Sequence, residues 1–269
     1  TELERVLERG APWAVAEGFG EKDDLSYVED GGIIADADPG AVSDRAYERG
    51  KDQLGTLGSG NHFVEVGSVE EVYDETAAQA MGLFRGRMTV MIHTGSRGLG
   101  YQICDDAIRE MMKASEKYGF VLPDRQLCAA PLRSPEGRRY LSAMAGAANY
   151  AFANRQIITH WVRETIEGVL SERRESLGLS VVYDVCHNIA KIERHTVGGK
   201  AQDLCVHRKG ATRAFGPGRR EVPKPYASVG QPVLVPGDGV KQGGISWDPA
   251  EAGSQAPGFR PVERELIVA

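Results

Sequence analysis

Apolar residues recur along this chain with two different periods, and the changes between them mark its elements. A helical spacing opens the sequence within residues 1–19, at ELERVLERG. Residues 20–50 are acidic and turn-rich and end in a short helix signal, AVSDRAYERG. Apolar–polar alternation then predicts a strand over 62–67, a helix over 69–81 and a second strand over 88–93. After Gly100, YQICDDAIREMMKASEKYG keeps apolar residues three and four apart and stops at a glycine, which predicts a helix. A proline-containing loop over 121–137 follows. Next comes YLSAMAGAANYAFANRQIITHWVRETIEGVLSERR, a proline-free run that predicts one long helix kinked at Gly146. The alanines around that glycine, including Ala143, Ala147, Ala151 and Ala153, leave room for a second backbone to pack closely. Strands are predicted at 180–185, 192–197, 203–207 and 232–235, and residues 239–269 carry little periodicity and read as irregular.

Helices and strands thus alternate irregularly, with no internal repeat and no long linker. The expectation is an α+β (mixed α/β) fold: one domain over residues 1–238 with a long central helix and mixed sheets, followed by a divergent tail. Composition narrows the setting. There is no run of about 18 apolar residues, so no membrane span is expected. The first residues are charged and lack both a secretory pattern and an initiator Met, so the chain reads as a fragment or a processed product. Cys104, Cys128, Cys186 and Cys205 show no CxxC spacing and read as reduced thiols of a cytoplasmic protein. A net charge of −6 argues against nonspecific coating of nucleic acid. A local basic run remains, with Arg208, Lys209, Arg213, Arg219, Arg220 and Lys224 crowded among glycines and prolines; it reads as a phosphate-binding stretch or as a solvated loop.

The chemistry concentrates at three strand ends. GTLGSGNHFVEV, MTVMIHTGSRGLG and LSVVYDVCHNIAK each carry a histidine in a turn: His62, His93 and His187. Three imidazoles from separate strands are a plausible set of ligands for one divalent metal, since imidazole suits Zn, Mn, Fe and Ni alike. Glu65, three positions beyond His62, falls on the opposite face if the strand is regular, and a turn at Phe63 would bring it round. Thr94, Gly95, Ser96, Arg97 and Gly98 resemble an anion nest, with a helix from about Gln102 aimed at the same place. Asp184 reads equally as an acceptor behind an imidazole or as a structural strand end, and Lys191 as a phosphate ligand or a solvated charge. His160, His195 and His207 read as structural.

Taken in order, LGTLGSGNHFVEV, MIHTGSRGLG, AANYAFANRQ, YDVCHNIAK and VHRKGATRAFGPG, followed by PVLVPGD, closely resemble the RtcB family of RNA-splicing ligases over roughly residues 25–238. The resemblance implies a GTP- and Mn²⁺-dependent ligase that joins an RNA 3′-phosphate or 2′,3′-cyclic phosphate to a 5′-hydroxyl, in tRNA splicing and RNA repair. It implies that His62, His93 and His187 bind metal. It further implies that Asn61, His62, Phe63, Val64, Glu65, His187, Asn188, Pro236, Gly237 and Asp238 contact the guanine nucleotide. Arg97, Lys209 and Arg213 are the expected phosphate contacts to RNA or GTP, and the implied partners are RNA and an archease-type activator.

Two family motifs are absent from this sequence: Asp-Val-Gly-Cys-Gly, which supplies an Asp and a bridging Cys ligand, and Gly-His-Gly-Ala-Gly-Arg, whose histidine accepts GMP. Gly239 stands where the family has Met. A truncation or a change of reading frame would account for both, and the expectation is that this polypeptide alone binds metal poorly and does not ligate. Two rival readings use the same residues: a metal-dependent phosphoesterase that needs no GTP, and a non-catalytic RNA-binding remnant.

Overall fold

The computed structural model describes residues 1–124 and 127–231, together with the backbone of 266–268. One helix organises it. α5 (Pro135–Leu170) starts on the Ser134 hydroxyl, which accepts from the Gly137 amide, and runs through Gly146 without the expected kink. Gly146 serves packing instead: the small face of α5 lies against α1 (Glu2–Ala16), where Val6, Leu7, Trp13 and Ala14 meet Ala143, Tyr150, Ala153 and Ile157 in a continuous core. α1 is interrupted by Gly10 at φ 54°, ψ −137°, where an added Cβ would stand 2.1 Å from the Gly32 carbonyl oxygen. Only glycine fits that approach.

α2 (Asp44–Gly50) and α4 (Arg97–Lys117) close over the same core through Ala46, Leu99 and Ile103. α4 begins five residues before the expected Gln102, inside the supposed anion nest itself. A second core region joins Ala148 and Phe152 of α5 to Val28, Cys186 and Ile189. The short helices α3 (Glu75–Ala80) and α6 (Arg174–Leu177) lie between the larger elements, and α3 is about half as long as the periodicity suggests.

The strands form antiparallel pairs rather than larger mixed sheets. β1 (Phe63–Ser68) pairs with β2 (Met88–His93). β4 (Asn188–Val197) pairs with β5 (Lys200–Lys209) in a hairpin that fuses the predicted strand at 192–197 with that at 203–207. β3 (Ala129–Pro131) pairs with β6 (Leu266–Val268), a three-residue departure from the irregular tail expected there. The predicted strand at 180–185 does not form: its only ladder contact is an isolated parallel bridge from Asp184 to Val28. The strand expected at 232–235 lies outside the described residues. Among the described residues no helix is long and apolar enough to cross a membrane.

Candidate metal and nucleotide site

The three histidines meet. His62 and His93 have ring centroids 6.0 Å apart, and His93 and His187 5.2 Å apart, and all three line a cleft of about 3560 Å³. All three rings are half-buried, so they face the cleft and not an apolar interior. β1–β2 pairing sets the first two in place: Phe63 lies opposite His93, and the turn just before β1 swings His62 toward it. Phe63, Glu65 and His93 share one face of the ribbon, and Val64 falls on the other.

His93 has a defined tautomer. Its Nδ1 lies 2.7 Å from the Asn61 carbonyl oxygen, which only accepts, so Nδ1 carries the proton and Nε2 presents its lone pair. That Nε2 stands 3.2 Å from His187 Nε2. With metal–nitrogen bonds of about 2.0–2.1 Å, such a spacing suits two neighbouring ligands of one ion. His62 is turned differently: Arg97 Nη1 lies 3.4 Å from its Nδ1. Gly58 makes this approach possible, since a Cβ there would stand 2.0 Å from Arg97 Nη1 and 2.3 Å from His62 Nδ1. Among the described residues no group of three or more His, Cys, Asp or Glu side chains is arranged to hold a metal ion. The donor set therefore fits a metal in its His93–His187 pair and is incomplete beyond it.

Burial, then the nearby Arg97 and His93, pushes the His62 imidazole below its ordinary range; burial, then His93, Arg155 and Lys209, does the same for His187. Both rings stay neutral, and so available as ligands, at lower pH than a free imidazole with a pKa of about 6.5.

Behind the histidines stands a brace that sequence reasoning missed. Asn154 and Arg155, adjacent on α5, reach all three histidine-bearing segments. Asn154 Oδ1 accepts from the amides of Gly55 and Thr56 at 2.7 and 3.1 Å, and its Nδ2 donates to the carbonyls of Thr56 and Gly95, each at 3.1 Å. Arg155 donates to Asp184 Oδ1 at 2.7 Å and to the Thr94 carbonyl at 3.2 Å, joining the His93 and His187 loops. Asp184 is therefore held by Arg155 and does not serve as an acceptor behind an imidazole. The available signal was two consecutive polar residues inside an alanine-rich helix face.

A second support lies under the His187 loop. Glu29 accepts from the Cys186 amide at 2.8 Å, and its carboxylate, with that of Asp30, is paired to Lys191 at 2.6 Å. Arg213 donates to Asp30 at 2.9 Å and is almost fully buried there. Arg213 and Lys191 are thus each engaged by the Glu29 and Asp30 carboxylates, of which Glu29 is buried, and neither lines the cleft. Arg97 and Lys209 do line the cleft. Asn61 is exposed and holds His93 through its backbone; Asn188 accepts from the Gly210 amide at 2.9 Å, fixing the next turn. His160 packs edge-on against Phe19 and Trp161, and His195 bonds to Glu193, both in structural roles. Pro236, Gly237 and Asp238 lie outside the described residues.

A family model described as the tRNA-splicing ligase RtcB matches residues 1–245. The chain belongs to the RtcB family. This RtcB chain is 56% identical to the tRNA-splicing ligase RtcB of Archaeoglobus fulgidus over 236 residues, covering 88% of this chain and 49% of the relative. The corresponding protein of Thermococcus kodakarensis is 56% identical over 237 residues, with the same two shares, 88% and 49%. That of Aeropyrum pernix is 52% identical over 262 residues, covering 94% and 54%. The chain thus spans about half the length of these three relatives. The family match extends seven residues beyond Asp238, into the stretch expected to diverge.

Proposed function

We propose that residues 1–238 carry part of the active site of a GTP- and Mn²⁺-dependent RNA ligase that joins 3′-phosphate or 2′,3′-cyclic phosphate ends to 5′-hydroxyl ends. The observation that carries this reading is the convergence of His62, His93 and His187 beside a cleft also lined by Arg97 and Lys209. His93 and His187 would hold the metal, with His62 and Arg97 at its side. A bound divalent ion supplies Lewis-acid neutralisation of phosphate charge. Arg97 and Lys209 add fixed positive charge for phosphate oxygens, which phosphoryl transfer requires in its transition state. Asn61 holds His93 in the tautomer that leaves Nε2 open, and Asn188 ties the His187 strand to the following turn. RNA ends, GTP and an archease-type activator are the corresponding partners, and the cytoplasm is the corresponding setting; no disulfide joins the four cysteines.

A chimera tests this directly. The matching segment of the Archaeoglobus fulgidus relative is replaced by this chain's residues 1–238, and ligation of a 3′-phosphate RNA to a 5′-hydroxyl RNA is followed with GTP and Mn²⁺. Ligation that is lost with His187→Ala supports the reading. Phosphate-ester hydrolysis independent of GTP, or RNA binding unchanged by chelator with no ligation, overturns it. By itself the chain lacks the motif whose histidine takes GMP, so incubation with labelled GTP and Mn²⁺ leaves no covalent label on a denaturing gel. A labelled band would show that another residue accepts the nucleotide. Mn²⁺ binding measured by calorimetry falls about tenfold or more in His93→Ala and in His187→Ala, and the loss of binding on acidification sets in below pH about 6.5.

A further inference from the structure

Of the three converging histidines, His62 alone is engaged by a cation of the chain itself. Arg97, the first residue of α4, has its backbone in the left-handed region at φ 54°, which a residue with a side chain keeps only when its surroundings hold it there. Gln53 and Thr56 supply that hold. Gln53 Oε1 accepts from the Gly98 amide at 2.8 Å, and the Gln53 carbonyl accepts from the Thr56 hydroxyl at 2.6 Å. Thr56 Oγ1 in turn accepts from Arg97 Nε at 3.2 Å. The guanidinium is thereby aimed at His62, with Nη1 3.4 Å from Nδ1, in the space that the missing side chain of Gly58 leaves.

A guanidinium only donates, so His62 Nδ1 accepts, and the other nitrogen of the neutral ring then carries the proton. With Arg97 in place His62 has no lone pair left for a metal. Reversing the tautomer to free Nε2 would set an Nδ1 proton against the Arg97 proton, donor facing donor. Either way, ligation by His62 requires the guanidinium to leave. His93 is different: its Nδ1 proton goes to a carbonyl, and its Nε2 faces His187. Three rings therefore converge, yet among the described residues no three-donor group is arranged for a metal ion. We propose that Arg97 is a positioning residue that occupies the His62 lone pair as an internal cation, so that a divalent metal gains His62 as a third imidazole only by displacing it. The displaced guanidinium stays at the edge of the site, where a phosphate oxygen is the partner its geometry suits. The proposal rests on the reading of His93 and His187 as metal ligands.

Two measurements on this chain test it. Long-range nitrogen–proton NMR of the metal-free chain at about pH 8, where free imidazoles are neutral, reads the His62 tautomer without any variant that might misfold. A proton on Nε2 is expected. Mn²⁺ calorimetry then supplies a double-mutant cycle. Arg97→Met raises Mn²⁺ affinity about tenfold or more, because it removes both a competing donor and a neighbouring positive charge. His62→Ala costs at least about tenfold more affinity in the Arg97→Met background than in the parent. Thr56→Val releases Arg97 Nε while keeping the arginine, and shifts the affinity in the same direction by a smaller factor. A proton on Nδ1 of His62, or additive effects of Arg97→Met and His62→Ala, overturns the proposal; if His93→Ala and His187→Ala still abolish binding, the metal-site reading stands. Mn²⁺ binding indifferent to all three histidines overturns both.

Discussion

Asn154→Ala lowers the unfolding free energy by about 3 kcal/mol and weakens Mn²⁺ binding about 10- to 100-fold. The side chain is fully buried and makes four hydrogen bonds, two accepted and two donated, all to the backbone of the segments that lead into His62 and follow His93. Alanine leaves buried amides and carbonyls without partners, which costs more than the net worth of the bonds themselves. Asn154→Asp keeps the acceptor and loses both donors, so it is also destabilising and does not restore the site. Urea denaturation gives the stability and calorimetry the metal affinity. A stability loss with unchanged Mn²⁺ affinity would show that the brace holds the fold without positioning the histidines.

The second large effect is expected further along α5. Asp24 is almost fully buried, and Arg163 grips it with both nitrogens, Nη1 to Oδ2 and Nη2 to Oδ1, each at 2.7 Å. Gln156 and the Glu21 amide donate to Oδ2 at 2.9 and 3.0 Å. Burial alone would raise the Asp24 carboxyl; the hydrogen bonds from Arg163, Glu21 and Gln156 outweigh it and hold the group below the ordinary carboxylate range. Arg163→Met strands a buried carboxylate and costs about 3–5 kcal/mol at neutral pH.

The pH dependence distinguishes a lost ion pair from lost packing. In the parent chain the folded pKa of Asp24 lies below its unfolded value of about 3.9. The contribution of the pair is therefore complete above that value and is lost as pH falls through the folded pKa. In Arg163→Met burial dominates and the folded pKa rises above the unfolded value, so protonation on acidification relieves the strain. The stability gap between the two proteins accordingly shrinks as pH is lowered from 7 toward 4. A gap independent of pH would assign the effect to packing of the arginine stem.

The long helix, the β1–β2 strands and the three histidine turns were legible because each is written in local periodicity or in short glycine-marked motifs. The fusion of two predicted strands into the β4–β5 hairpin was partly legible: Gly198 and Gly199 sit at its turn. The strand at 180–185 was misread because its apolar run packs as extended backbone with a single bridge to Val28. Arg213 and Lys191 show the harder limit. Their surroundings on the chain are basic and glycine-rich, as a phosphate-binding stretch would be, yet their partners Glu29 and Asp30 lie more than 150 residues away.

By itself the sequence determined which residues bear the candidate chemistry, since imidazoles and turn glycines are local facts of composition and spacing. Only the tertiary structure decided how they are used. It put His93 Nε2 against His187 Nε2, turned His62 toward Arg97, gave Asp184 to Arg155, and took Arg213 and Lys191 out of the cleft. The physical reason is that the state and availability of a charge depend on what long-range packing places beside it and on how much water that packing removes, and neither is encoded in the residue's own neighbours along the chain.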